Sequence, residues 1–138
     1  MSNRTFTIIK PDSVRKGNFG RIISRLEAEG FRILCLKKVN LTTKQAEGFY
    51  AVHRERPFFQ SLVTYMTSGT VYVAALEKEN AVLALRTLMG ATDPAKADAG
   101  TIRKEFGESI EQNAIHGSDS DDNARIEIGF FFAESELM

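Results

Sequence analysis

The chain of 138 residues has a single cysteine, no tryptophan, three prolines and no excess of charge of either sign. A lone Cys35 excludes an intramolecular disulfide framework and fits a reducing compartment. Its hydrophobic neighbours make it packing material rather than a reactive thiol. Two histidines and one cysteine are too few ligands for a structural zinc site. Lys plus Arg equals Asp plus Glu at 18 each, so nothing attracts a polyanion from a distance, which argues against general nucleic-acid binding. No run is long and apolar enough for a membrane span, and Met1-Ser2-Asn3-Arg4-Thr5 has no signal-peptide core. A soluble, cytoplasmic protein is expected. Repeats, low-complexity tracts and linkers are also absent, so residues 1–138 read as one domain. Neither a Gly-x-x-x-x-Gly-Lys-Ser/Thr loop nor a Gly-x-Gly-x-x-Gly turn is present, and the usual glycine-rich phosphate cradles are therefore missing.

What is present is a regular alternation of strand and helix signals. Thr5 to Ile9 is rich in β-formers and stops at the turn signal Lys10-Pro11-Asp12. Phe19, Ile22, Ile23 and Leu26 recur at helical spacing, with Gly30 as a C-terminal cap. Phe31 to Val39 reads as a second strand. Thr42 and Gln45 form a capping box for a helix reaching about Tyr50, and Pro57 suits the first turn of another that runs to about Met66. Val71 to Leu76 is a third strand. Asn80 is a cap for a helix carrying Val82, Leu85 and Met89, closed by Gly90. Periodicity is weak from Ala91 to Asn113, apart from a turn of helix near Thr101 to Phe106; long ordered connections of this kind are usually functional. Asp121 and Asp122 open a short helix. Ile126, Ile128, Phe130 and Phe132 then alternate as a last strand. Helices packed on a four-stranded, mainly antiparallel sheet give a ferredoxin-like βαββαβ sandwich.

Chemistry is suggested first by Asn113-Ala114-Ile115-His116-Gly117-Ser118-Asp119-Ser120. Gly117 permits a tight turn, and neutral imidazole is a good nucleophile near pH 7. Alone, the segment slightly favours a polar turn whose histidine has no task. Lys10, Arg86 and Arg103 each read as a solvated cation or as a phosphate contact. Glu127, in the expected last strand beside Gly129 and Phe131, either faces water or accepts a hydrogen bond from His116, eleven residues earlier. Phe58 and Leu62 lie one helical turn apart. Core packing explains them, and so does an exposed platform for a planar base. Tyr50 is a surface tyrosine or a hydrogen-bond donor, while His53 lacks the glycine and hydroxyl neighbours of His116.

Taken together, these segments resemble the nucleoside diphosphate kinases. The resemblance runs through Thr7 to Asp12, Met66 to Gly69, Asn80 to Val82, Gly90 to Pro94, Gly100 to Arg103, the His116 octapeptide and Glu127. It implies ping-pong transfer of the terminal phosphoryl of a nucleoside triphosphate to a nucleoside diphosphate, through a phosphohistidine on His116. Carried over residue by residue, Glu127 orients His116 and Ser118 supports Glu127. Lys10 and Tyr50 lie near the phosphoryl in flight, and Lys10 also reaches the ribose. Arg86, Thr92 and Arg103 hold the phosphates, Asn113 the sugar, and Phe58 the base, flanked by Leu62 and Ile110. The resemblance further implies magnesium, with Asp119 contributing through water, and a homo-oligomer.

Three positions depart from the family's pattern: Thr70 and Ala99 stand where proline is usual, and Lys78 where glycine is frequent. A positive φ at Lys78 costs on the order of 1 kcal/mol. These departures bear on stability and subunit contacts rather than on the chemistry. Two other readings of the same architecture compete: an RNA-binding sheet, for which the basic charge and Lys/Arg-Gly-Phe-type motif are missing, and a sensor that binds nucleotide without transfer.

Overall fold

The computed structural model describes residues 3–138. Its sheet contains β1 (Arg4–Ile9), β2 (Arg32–Val39), β3 (Val71–Glu77) and β4 (Ile115–Gly117), in the spatial order β2-β3-β1-β4 with every ladder antiparallel. The helices are α1 (Pro11–Arg15), α2 (Phe19–Ala28), α3 (Thr43–Phe49), α4 (Phe59–Met66), α5 (Ala81–Met89), α6 (Ile102–Phe106) and α7 (Asp121–Phe131). The order β1-α2-β2-β3-α5-β4 is the ferredoxin-like core, with α3 and α4 inserted between β2 and β3, and α7 added at the end.

Successive side chains of a strand point to opposite faces, and β1 is buried on both. Phe6 and Ile8 pack with Tyr50, Phe59, Val63 and Ile128 beneath α3, α4 and α7. Ile9, on the other face, packs with Ile22, Leu26, Leu85 and Ile102 beneath α2, α5 and α6. Cys35 is half-buried against the first of these cores, in keeping with a packing role.

Local signals fix several boundaries. Thr42 accepts from the Gln45 N–H at 3.1 Å while the Gln45 side chain accepts from the Thr42 N–H at 2.9 Å, forming the expected capping box. After α2, Gly30 (φ 90°) donates to the Glu27 carbonyl, and Phe31 donates to Leu26. This is a Schellman ending.

Other expectations change. Ile126 to Phe131 is helix, not strand, and Phe132 is its extended C-cap. Ser120 accepts from the Asn123 N–H at 3.0 Å, and Asp121 and Asp122 occupy the first turn, so α7 starts strongly and runs on to Phe131. Its core side carries Ala124 and Ile128, one turn apart, and Ile126 is 67% exposed. The alternation of Ile126, Ile128, Phe130 and Phe132 mimics a strand only because aromatics also lie outside the buried stripe. The last strand is Ile115–Gly117. Lys10-Pro11-Asp12 opens α1 with Pro11 in its first turn, rather than ending in a simple turn, and Pro57 lies outside α4. Asn80 occupies the position before α5 but is left-handed (φ 53°) and makes no side-chain cap. Lys78 is not among the positive-φ residues, so the anticipated strain does not arise. Its ammonium instead lies 5.0 Å from the Phe31 ring centre and donates to the Glu29 carbonyl.

Candidate active site

Strand pairing aims the imidazole. Ile8 stands opposite His116 and Thr7 opposite Gly117, so His116 emerges on the α3–α4–α7 face with Ile8. Thr7 Oγ1 donates to the His116 carbonyl at 2.7 Å. Gly117 is needed for close approach rather than for a turn, since a Cβ there would lie 2.8 Å from Met89 Sδ and 2.9 Å from Leu85 Cδ2.

Glu127 reaches His116 from helix α7. Its Oε1 lies 2.8 Å from His116 Nε2 and also accepts from Ser118 Oγ at 2.8 Å. The His116 and Glu127 side chains are only 21% and 18% exposed. A carboxylate only accepts, which puts the ring proton on Nε2 and leaves the Nδ1 lone pair free. Aromatic edges hold the ring: Phe49 lies 5.6 Å from it and Tyr50 6.5 Å, centre to centre.

The cations are more telling. Lys10 is buried, and its Nζ donates to Asn113 Oδ1 at 2.8 Å and to the Glu111 carbonyl at 3.4 Å. Arg103, also buried, donates to the carbonyls of Gly90 at 3.1 Å and Ile115 at 2.8 Å, while its Nε has no partner among the described residues. Burial, and then the Arg103 charge, lowers the Lys10 pKa to about 8, with Asp12 and Glu111 opposing. Burial, and then the Arg86 charge, lowers Arg103 to about 10. Buried charge is expensive unless it is compensated. Two such cations, hydrogen-bonded among the described residues to neutral oxygens, make a site complementary to an anion. The Tyr50 hydroxyl is buried with no partner among the described residues; burial, with the Glu127 charge adding, pushes its pKa above the ordinary value and keeps the O–H intact.

Asn113 also donates from Nδ2 to the Thr92 carbonyl at 3.0 Å, bringing Lys10, Asn113 and Thr92 together. Arg86 is exposed on α5, close enough to act electrostatically on Arg103. Phe58 sits 47% exposed at the start of α4, its ring 5.5 Å from His53; Leu62 is half-buried one turn on, and Ile110 is 62% exposed. A 2.8 Å bond from Ser61 Oγ to Glu111 Oε2 holds the segment after Ile110 against α4. Asp119 is exposed and accepts from Asn123 Nδ2 at 2.6 Å. Among the described residues no three His, Cys, Asp or Glu side chains converge on a metal site. A single exposed carboxylate fits a hydrated divalent ion whose direct ligands are phosphate oxygens. Sequence reasoning missed Asp12 and Tyr65, which bond to each other beneath the site. The one signal for Asp12 was read as part of a turn.

An oriented imidazole on β4, with buried cations bonded to the residues that flank it in the chain, is a combination suited to phosphoryl transfer on a ferredoxin-like sandwich. A family model described as nucleoside diphosphate kinase matches residues 3–137. A nucleoside diphosphate kinase of Geotalea daltonii is 57% identical over 135 residues, covering 98% of both chains. The solved nucleoside diphosphate kinase of Aquifex aeolicus superposes with a TM-score of 0.96 at 45% identity, covering 99% of each chain. That of Halobacterium salinarum, solved with CDP, gives 0.94 at 40% identity, covering 100% of this chain and 92% of its own. The chain belongs to the nucleoside diphosphate kinase family. It is an enzyme that passes the terminal phosphoryl of a nucleoside triphosphate to a nucleoside diphosphate. Among the described residues no helix is long and apolar enough to cross a membrane.

Proposed function

We propose that His116 carries the phosphoryl between the two nucleotides. The observation that supports this reading most directly is the imidazole, paired through Nε2 with Glu127, on a domain whose buried Lys10 and Arg103 donate to neutral oxygens of Asn113, Glu111, Gly90 and Ile115. In the first half-reaction Nδ1 forms a bond to the terminal phosphorus. The bond from phosphorus to its bridging oxygen breaks, and the diphosphate leaves with the electron pair. In the second, a terminal oxygen of a different diphosphate attacks that phosphorus, and the N–P electron pair returns to Nδ1. Glu127, steadied by Ser118, keeps the Nε2 proton and stabilises positive charge on the ring.

Phosphoryl transfer depends on in-line positioning and neutralisation of oxygen charge more than on proton transfer. Lys10, Arg86 and Arg103 supply the charge, Thr92 supports the phosphate chain, and the Tyr50 O–H donates to an oxygen in transit. Lys10 and Asn113 reach the sugar. Phe58 stacks on the base between Leu62 and Ile110; contact with the face of a base tolerates purines and pyrimidines alike. CDP bound to the Halobacterium relative is in keeping with a pyrimidine substrate. Asp119 would hold magnesium through water, and the ion would supply further neutralising charge to the phosphates. The working unit is one domain over 1–138, assembled as a cytoplasmic homo-oligomer. Assembly is supported by Leu36 exposed on edge strand β2 and Leu83 exposed on α5, the location by the unpaired Cys35.

The test is incubation with γ-labelled ATP and magnesium, followed by a chase with unlabelled GDP. Acid-labile label on the protein should move to GTP, and folded His116→Ala should take up none. Near-normal transfer by that variant would contradict the reading.

A further inference from the structure

Asp12 is almost fully buried, and apart from its charge favouring the protonated Lys10 it has no part in the reaction described above. It sits in the first turn of α1, where an acidic residue ordinarily serves the helix dipole. Its side chain goes elsewhere. Oδ1 accepts from the Tyr65 hydroxyl, 53 residues away, and Oδ2 accepts from the Ala114 N–H, 102 residues away, at 3.1 Å. The Asp12 N–H in turn donates to Tyr65 Oη at 2.8 Å, so the two residues lock each other.

The peptide they hold is unusual. Ala114 has φ 77°, a conformation that disfavours any residue with a Cβ, and the Ile115 N–H donates back to the Asn113 carbonyl at 2.9 Å. A bond across two residues with positive φ at the centre is the rare, strained form of γ-turn. Strain of this kind persists only where the surroundings impose it. Here the constraint comes from both sides: Asp12 takes the Ala114 N–H, and the Lys10 N–H donates to the Ala114 carbonyl at 2.9 Å. Downstream, His116 is secured separately, by its pairing with Ile8 and by Thr7 Oγ1. Upstream, Asn113 lies outside the strand, its side chain bonded to Lys10 Nζ and the Thr92 carbonyl but its backbone fixed by no ladder.

We propose that Asp12, locked by Tyr65, is a positioning residue that clamps the strained turn at Ala114 and thereby aims Asn113 at the nucleotide sugar. The clamp acts on sugar recognition and leaves the nucleophile in place. It rests on the reading of Asn113 as a sugar contact.

The test is single-turnover phosphorylation of the full chain by ATP and by 2′,3′-dideoxy-ATP, which lacks the sugar hydroxyls. The wild type should use the dideoxynucleotide about tenfold more slowly or worse, the usual effect of losing hydrogen bonds within a charged site. Asp12→Ala should slow ATP by a similar factor and the dideoxynucleotide far less, so that the ratio falls toward one. Asp12→Asn should keep most of the ratio, because its amide oxygen still accepts from Ala114 while its NH2 donates to Tyr65. A general loss of stability would slow both donors and leave the ratio unchanged. If Asp12→Ala does not fold, Tyr65→Phe takes its place, and a partial fall in the ratio is expected. A folded Asp12→Ala or Tyr65→Phe protein with the full wild-type ratio overturns the clamp. A wild type that does not distinguish the two donors overturns instead the sugar reading on which the clamp rests.

Discussion

Glu127 Oε1 lies 2.8 Å from His116 Nε2, although one side chain projects from helix α7 and the other from edge strand β4. The pairing settles which ring nitrogen carries the proton and which is free to react. Removing an orienting partner of this kind typically lowers activity about 10- to 100-fold. Glu127→Ala should therefore slow single-turnover phosphorylation by about that factor, with the nucleophile intact. Ser118→Ala, which removes only the second bond to the same oxygen, should slow it less. A Glu127→Ala rate within twofold of wild type would contradict the assignment.

Lys10 gives a stability and an activity prediction of opposite sign. Its folded pKa of about 8 lies below the ordinary 10.5. Between those values the unfolded chain binds more protons, so nucleotide-free stability should rise as pH climbs from about 8 to 10.5. At pH 7 the penalty of burying the charge is fully present. Lys10→Met should accordingly melt higher at pH 7, by about 1–2 kcal/mol of stability, while losing phosphoryl transfer. In the wild type the nucleotide KM should rise above about pH 8 as Lys10 discharges. Thermal melts and initial rates across pH 6–10, on the order of the range these groups span, check both.

The Tyr50 hydroxyl is buried without a partner among the described residues, so its removal should not destabilise the fold. Tyr50→Phe should melt within about 0.5 kcal/mol of wild type, or slightly higher, and yet transfer phosphoryl about tenfold more slowly. A variant with unchanged rate would remove Tyr50 from the reaction.

Gly90 ends α5 at φ 87°, and a Cβ on it would lie 2.6 Å from Thr101 Oγ1. Its carbonyl also accepts from Arg103 at 3.1 Å. Gly90→Ala should cost about 1–3 kcal/mol from crowding alone, with backbone strain added, and should raise the nucleotide KM by displacing Arg103. Denaturant unfolding and steady-state kinetics measure the two effects separately.

Local chemistry was legible where neighbours in sequence are also neighbours in space. The Thr42–Gln45 box, the Gly30 ending of α2 and the strands around Ile8 and Val73 follow from hydrogen bonds and dihedral preferences acting within a few residues. The Ile126–Phe132 segment was misread because alternation over so few residues is compatible with either period. The helix prevailed through the Ser120 cap and the acidic first turn. Asn80 shows the complementary error, since a residue type favoured as a cap adopts instead the left-handed conformation that asparagine tolerates.

The sequence by itself determined the reagents: an imidazole, carboxylates, cations and a phenol, strung along the chain among strand and helix signals of which the last was wrong. Only the tertiary structure decided that Lys10 meets Asn113 across 103 residues, that Glu127 approaches from a helix, and that Asp12 reaches Ala114. Those meetings depend on sheet register and on which helix face is buried. Both are set by the summed packing of β1, β4 and α7 rather than by preferences within any one segment.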